Sequence, residues 1–107
     1  MEIKQYQVVL VDLNPTKGSE IQKTRPCLVI SPKEMNKYLR TIIIAPMTTS
    51  PKEYPTRVPI LHNGKKGAIA IDQIRTIDKS RIVKTFGLIT KKEIVNCKRV
   101  LKETLVD

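Results

Sequence analysis

Thr41-Ile42-Ile43-Ile44-Ala45-Pro46-Met47 is a run of seven residues, apolar from its second position onward. The run is short and opens on four β-branched residues, so it reads as a strand rather than a helix. Three successive isoleucines cannot alternate between a wet face and a dry one. The strand is therefore buried on both faces or belongs to a strongly curved sheet. Upstream, Val8–Leu13 and Arg25–Ser31 read as two further strands, the second apolar from Cys27 to Ile30. Pro32–Leu39 reads as a short helical turn between the second strand and the isoleucine strand.

Downstream, Thr48-Thr49-Ser50-Pro51 carries hydroxyls and a proline and ends the isoleucine strand. Thr56–Leu61 alternates as a strand, and Pro59 places it at an edge or a bulge. Asn63-Gly64 is a tight-turn dipeptide. Ala68–Ile71 reads as a buried strand and Arg81–Ile89 as the last one, broken near Gly87. The period then changes. Thr90-Lys91-Lys92-Glu93 is a capping-box pattern, in which the Thr hydroxyl and the Glu carboxylate each satisfy a backbone N–H of the other residue. Ile94, Cys97, Leu101 and Leu105 recur at helical spacing behind it. The expected fold is mainly β with one C-terminal α-helix: a small curled barrel of short strands that the helix closes.

The 107 residues suffice for one domain, residues 1–107, with a modest core; 40% are apolar, too many for a disordered chain. No apolar run approaches the roughly eighteen residues needed to cross a bilayer, and the N-terminus shows no signal-peptide pattern. No membrane partner is expected, and the expected compartment is the cytoplasm. Cys27 and Cys97 fall in a strand pattern and a helix pattern, and both are read as packing residues. One histidine, His62, and no Cys-x-x-Cys or His-x-x-x-His spacing argue against a metal site, and no cofactor is expected.

Twenty Lys and Arg against ten Asp and Glu give a formal net charge of +10. That excess favours a polyanionic partner, nucleic acid above all, through counterion release and electrostatic steering. With four aromatic residues (Tyr6, Tyr38, Tyr54 and Phe86), binding would rest mainly on phosphate contacts.

The segment Asn14–Pro26, N-P-T-K-G-S-E-I-Q-K-T-R-P, is the candidate phosphate loop. It is long for a connection between two strands of a small domain, and such loops tend to carry function. Arg25 ends it, at a loop–strand junction that would hold a guanidinium in place for a forked grip on phosphate. Thr48 offers a hydroxyl that could donate to a phosphoryl oxygen, or form a turn. Asp72 could accept a proton, but holding a neighbouring loop by accepting backbone N–H bonds is the favoured reading. His62 sits beside a turn, and nothing near it in sequence marks it. Lys17, Lys23 and Arg75 are candidate phosphate contacts or solvated charges.

Taken in order, Asn14–Glu20, Thr24-Arg25-Pro26, Ser31-Pro32, Ala45–Ser50 and Asp72–Asp78 resemble the MazF/PemK family of toxin endoribonucleases over about residues 6 to 105. The resemblance implies a small SH3-like β-barrel (PemK/CcdB-like) with a C-terminal helix, acting as a homodimer. It implies metal-independent, sequence-specific cleavage of single-stranded RNA, commonly mRNA, by attack of the 2′-hydroxyl on the adjacent phosphate. A 2′,3′-cyclic phosphate and a 5′-hydroxyl would result. It also implies a cognate MazE-like antitoxin whose acidic, flexible tail covers the RNA site.

Arg25 and Thr48 match the active-site pair of the MazF branch. Glu20 matches the family glutamate of the Lys-Gly-Ser-Glu loop, with Ser19, Lys17, Lys23, Thr49, Gln73 and Arg75 as supporting or RNA-binding positions. The chain departs from the family at two places. Ala70 stands where the PemK branch has an arginine two positions before Asp-Gln, and Thr24 stands where many MazF relatives have histidine. The first removes Asp72 from the catalytic candidates. The second leaves the group that accepts the 2′-hydroxyl proton open among Glu20, a substrate phosphate oxygen and water. Two other readings compete with the nuclease: a CcdB-like poison of DNA gyrase, and a basic SH3-like module that binds RNA without cutting it.

Overall fold

The computed structural model describes residues 2–14, 23–49 and 54–106. The chain runs β1 (Gln7–Asp12), β2 (Thr24–Val29), α1 (Lys33–Tyr38), β3 (Thr41–Thr48), β4 (Arg57–His62), β5 (Lys65–Ala70), β6 (Arg75–Asp78), β7 (Ile82–Leu88) and α2 (Lys91–Leu105). Single turns of 3-10 helix at Ile71–Gln73 and Lys79–Arg81 link β5 to β6 and β6 to β7. The strands follow the order β4-β5-β3-β2-β1-β7, with β6 also paired to β3. All of these pairings are antiparallel. The architecture is the expected one, mainly β and curled, with the C-terminal helix packed against it. Among the described residues no helix is long and apolar enough to cross a membrane.

β3 explains the curl. One of its edges pairs with β2 from Ile44 to Pro46. The other edge is divided, with Thr41–Ile44 on β6 and Met47–Thr48 on β5. The chain turns this corner through the Ile71–Gln73 turn. The continuous apolar runs serve two cores, one on each face. Val9, Val11, Cys27, Val29, Ile42, Ile44 and Ile77 form one cluster. Val8, Leu28, Ala45, Met47, Val58, Ile60 and Ile69 form the other, onto which α2 packs Cys97 and Val100. Successive residues of β1, β2 and β3 thus point into different cores, which is why these strands do not alternate with polar residues.

The helix begins as its sequence predicts. Thr90 Oγ1 accepts from the Glu93 N–H at 3.2 Å, and Glu93 Oε1 accepts from the Thr90 N–H at 2.9 Å. Glu93 has a second duty, because its Oε2 accepts from the Leu61 N–H at 2.9 Å and ties α2 to the end of β4. Burial opposes the charge of this carboxyl. The bonds from Thr90 and Leu61 outweigh that effect and hold it below the usual glutamate range.

Four expectations need correction. β5 ends at Ala70, and Ile71 opens a 3-10 turn instead of closing a strand. β6 is an additional strand, hidden in the sequence because only Ile77 among its four residues is apolar and buried. β7 passes through Gly87 without breaking; the irregularity there is a bulge, since Gln7 faces Leu88 but Val9 faces Thr85. In α2 the stripe ends early: Val100 is buried, while Leu105 is 56% exposed in the last turn.

Candidate active site

The side chains of β2 pass from exposed at Thr24 and Arg25 to fully buried at Cys27 and Leu28. Arg25 therefore stands where the strand leaves the core. The register of β2 on β3 pairs Cys27 with Pro46. Arg25 and Thr48 each lie two residues beyond that last pair, on β2 and at the end of β3. Both line one cavity of about 510 Å³, together with Thr24, Thr49, His62, Lys65, Lys66 and Phe86, over an apolar floor that includes Met47 and Ile60. Arginine and lysine charges, hydroxyls and an imidazole on an apolar floor suit an anionic ligand with aromatic parts.

Thr48 is fixed by a close backbone approach. A Cβ on Gly67 would lie 3.1 Å from the Thr48 carbonyl oxygen, tighter than ordinary contact. Glycine at 67 lets β5 lie against the end of β3, where Thr48 pairs with Ala68. Gly67→Ala should therefore displace Thr48 by a few tenths of an ångström. The crowding is expected to cost about 1 to 3 kcal/mol of stability. Thermal unfolding of the purified variant checks this, and a wild-type melting temperature would refute it.

The base of the long loop is clamped at both ends. The Leu13 N–H donates to the Lys23 carbonyl at 2.8 Å, and the Lys23 N–H donates to Asn14 Oδ1 at 3.1 Å. The Asn14 N–H donates to Asp12 Oδ1 at 2.9 Å, and Arg81 Nη1 donates to the Asp12 and Asn14 carbonyls. Asn14 is buried as a result. The sequence-predicted residues Lys17, Ser19 and Glu20 lie outside the described residues. Lys23 is exposed at the clamp and does not line the cavity.

Gln73 and Arg75 are exposed and outside the cavity lining, in the corner turn and at the start of β6. Arg75 still stands near enough, with Arg25, to act electrostatically on Cys27.

Asp72 holds side chains rather than a loop backbone. Arg57 Nε donates to its Oδ1 at 2.9 Å and Arg57 Nη2 to its Oδ2 at 3.3 Å, while Thr56 Oγ1 donates to Oδ1 at 2.9 Å. The Arg57 bond is the main reason the carboxyl sits below the usual aspartate range. Arg57 faces Ala70 across the β4–β5 ladder, and its guanidinium lies 5.2 Å from the centre of the Tyr54 ring. The arginine missing at position 70 thus has a counterpart on the neighbouring strand, which no spacing in the sequence reveals.

Both cysteines are free and buried. Burial pushes the Cys27 thiol up to about 12, against the lowering effect of Arg25 and Arg75. Burial, with Glu93 nearby, raises Cys97 to about 12 as well. Neither thiol is ionised near neutral pH, so neither is expected to react with a thiol-specific disulfide reagent until the protein is denatured, when both should. Absorbance titration of released thiolate checks this; one thiol reacting in the native protein would contradict it.

Sequence reading weighed His62 but found nothing to mark it, and it missed Lys65 and Lys66; all three stand on the cavity wall. Asn63 and Gly64 both adopt positive φ, 51° and 76°, and close a two-residue hairpin that pairs His62 with Lys65. The Asn-Gly dipeptide already implied that pairing, but only the fold shows that it faces Arg25. Among the described residues no group of three or more His, Cys, Asp or Glu side chains could hold a metal ion.

The family model of the PemK-like, MazF-like toxins of type II toxin–antitoxin systems matches residues 4–105. The chain is similar to the endoribonuclease MazF of Staphylococcus epidermidis, at 31% identity over 96% of this chain and 91% of that one. It is also similar to the endoribonuclease MazF of Staphylococcus saprophyticus, at 33% identity over 86% and 82% of the two chains. Its fold superposes on the MazE–MazF crystal structure from Deinococcus radiodurans with a TM-score of 0.82, at 25% identity over 98% and 96% of the chains.

Proposed function

Because the chain belongs to the PemK-like, MazF-like toxins of type II toxin–antitoxin systems, we propose that it is a sequence-specific, metal-independent endoribonuclease acting on single-stranded RNA, with residues 1–107 forming one catalytic domain. The observation that carries this reading is the convergence of Arg25 and Thr48, from two strands, on one cavity flanked by Lys65 and Lys66.

The ribose 2′-hydroxyl attacks the adjacent phosphorus, and the bond to the 5′-oxygen breaks. Charge grows on the non-bridging oxygens as the phosphorus becomes five-coordinate. Arg25 meets that charge with two parallel N–H donors, and Thr48 orients the same phosphate through its hydroxyl. Lys65 and Lys66 hold the neighbouring backbone. A single strand can rotate its nucleotide toward in-line attack, which a duplex resists. The protein works in the cytoplasm as a homodimer. A MazE-like antitoxin with an acidic, flexible tail silences it by occupying the cationic cavity; the similar Deinococcus radiodurans structure is itself a MazE–MazF complex.

The test is purified protein on a long single-stranded RNA in EDTA, with cut sites and end groups mapped. Cuts at one short motif, leaving 2′,3′-cyclic phosphate and 5′-hydroxyl ends, are expected. Intact RNA with steeply salt-dependent binding would point instead to a binding module. Growth arrest with intact RNA would point to a gyrase poison.

A further inference from the structure

We propose that His62 is the catalytic group that accepts the 2′-hydroxyl proton, an inference that rests on the transphosphorylation reading above. Cleavage by that route requires an acceptor within reach of the reacting nucleotide. The cavity's described lining holds few candidates. Arg25, Lys65 and Lys66 are cations, Thr24, Thr48 and Thr49 are alcohols, and no described carboxylate lines it. Imidazole is the side chain of this lining whose nitrogen lone pair can accept a proton.

The fold builds His62 into this position. Val58 and Ile60 point inward from β4 and are buried. His62 is the next residue on that face, at the point where the core opens into the cavity. The ring is held by Phe86, whose centre lies 5.0 Å away with the planes at 81°. The strand end beneath it is held by the hairpin pairing to Lys65 and by the Glu93 bond to the Leu61 N–H.

The charged groups around it come from four elements. Lys65 and Lys66 belong to β5, Arg25 to β2, and Lys84 on β7 lies over the Phe86 ring. Among the described residues Glu93 of α2 is the one carboxylate there, and both of its oxygens already accept backbone N–H bonds.

The step balances as follows. The 2′-oxygen bonds to phosphorus as the bond from phosphorus to the 5′-oxygen breaks. The 2′-hydroxyl proton passes to the free nitrogen of His62. The leaving 5′-oxygen takes a proton from water, and the hydroxide so formed restores neutral imidazole.

The experiment uses the full chain and an RNA oligonucleotide carrying a mapped cut site. His62→Gln and His62→Phe should each lower kcat by about 10² to 10³ while KM stays within about threefold. The acidic limb of the wild-type kcat profile should be lost in His62→Gln. Added imidazole should restore His62→Ala at least about tenfold. Unchanged kcat in His62→Gln would overturn the proposal. So would full activity in His62→Phe, which keeps an aromatic ring beside Phe86 and would show that packing alone matters. A wild-type profile flat across the acidic range would overturn it without any variant. Cleavage of an oligonucleotide with 2′-deoxyribose at the cut site would instead overturn the transphosphorylation reading, and this inference with it.

Discussion

Arg25→Ala should lower kcat by about 10³ or more and leave the melting temperature within about 2 °C of wild type. The two halves of this expectation have separate grounds. Arg25 is exposed at the start of β2, where its backbone pairs with Val11 of β1 and its carbonyl accepts from the Cys27 thiol. Removing the side chain therefore costs little folding energy. Catalysis is different, because the extra charge on the phosphate exists only in the transition state and its neighbourhood. A donor aimed at developing charge acts on kcat more than on KM. Arg25→Lys should recover part of the loss, about tenfold, since an ammonium supplies charge without the fork. Single-turnover cleavage at saturating enzyme measures this directly. If Arg25→Ala instead raises KM with kcat intact, Arg25 is a backbone contact, and the catalytic cation must be sought at Lys65 or Lys66.

The strand ends that carry Arg25 and Thr48 to one cavity were legible because the chain punctuates itself there with proline and hydroxyl residues. The C-terminal helix was legible for the same local reason: a capping box is four consecutive residues. What could not be read was assembled by register. Arg57 and Asp72 are fifteen residues apart and meet only because β4 and β5 form a hairpin. His62 looked unmarked, since the Arg25 and Thr48 that share its cavity come from β2 and β3. β6 escaped because Arg75-Thr76-Ile77-Asp78 is mostly polar, although its ladder to β3 runs through four paired positions. Leu105 was misplaced because helical spacing says which face is apolar, not how far the neighbouring sheet extends beneath it.

The triple isoleucine yields the largest stability effect. Ile44 is fully buried, pairs with Val29 on β2 and Arg75 on β6, and lies in the cluster with Val9, Val11, Cys27 and Ile42. Truncation to alanine removes three carbons from a site enclosed by two ladders, so the surroundings cannot collapse into the gap. The expected loss is about 3 to 4 kcal/mol, from lost transfer energy plus the cavity left behind. A small domain has only about 5 to 15 kcal/mol in total, so much of the margin disappears. At a fixed protein concentration the melting temperature should fall by about 15 to 25 °C. Ile44→Val, which removes one carbon, should cost about 1 kcal/mol. Leu61 is the control: it is 61% exposed on the outer face of β4, and Leu61→Ala should lie within about 0.5 kcal/mol of wild type. Thermal and denaturant unfolding of the three variants separates the cases. Equal losses at Ile44 and Leu61 would mean that β3 does not carry a core on each face.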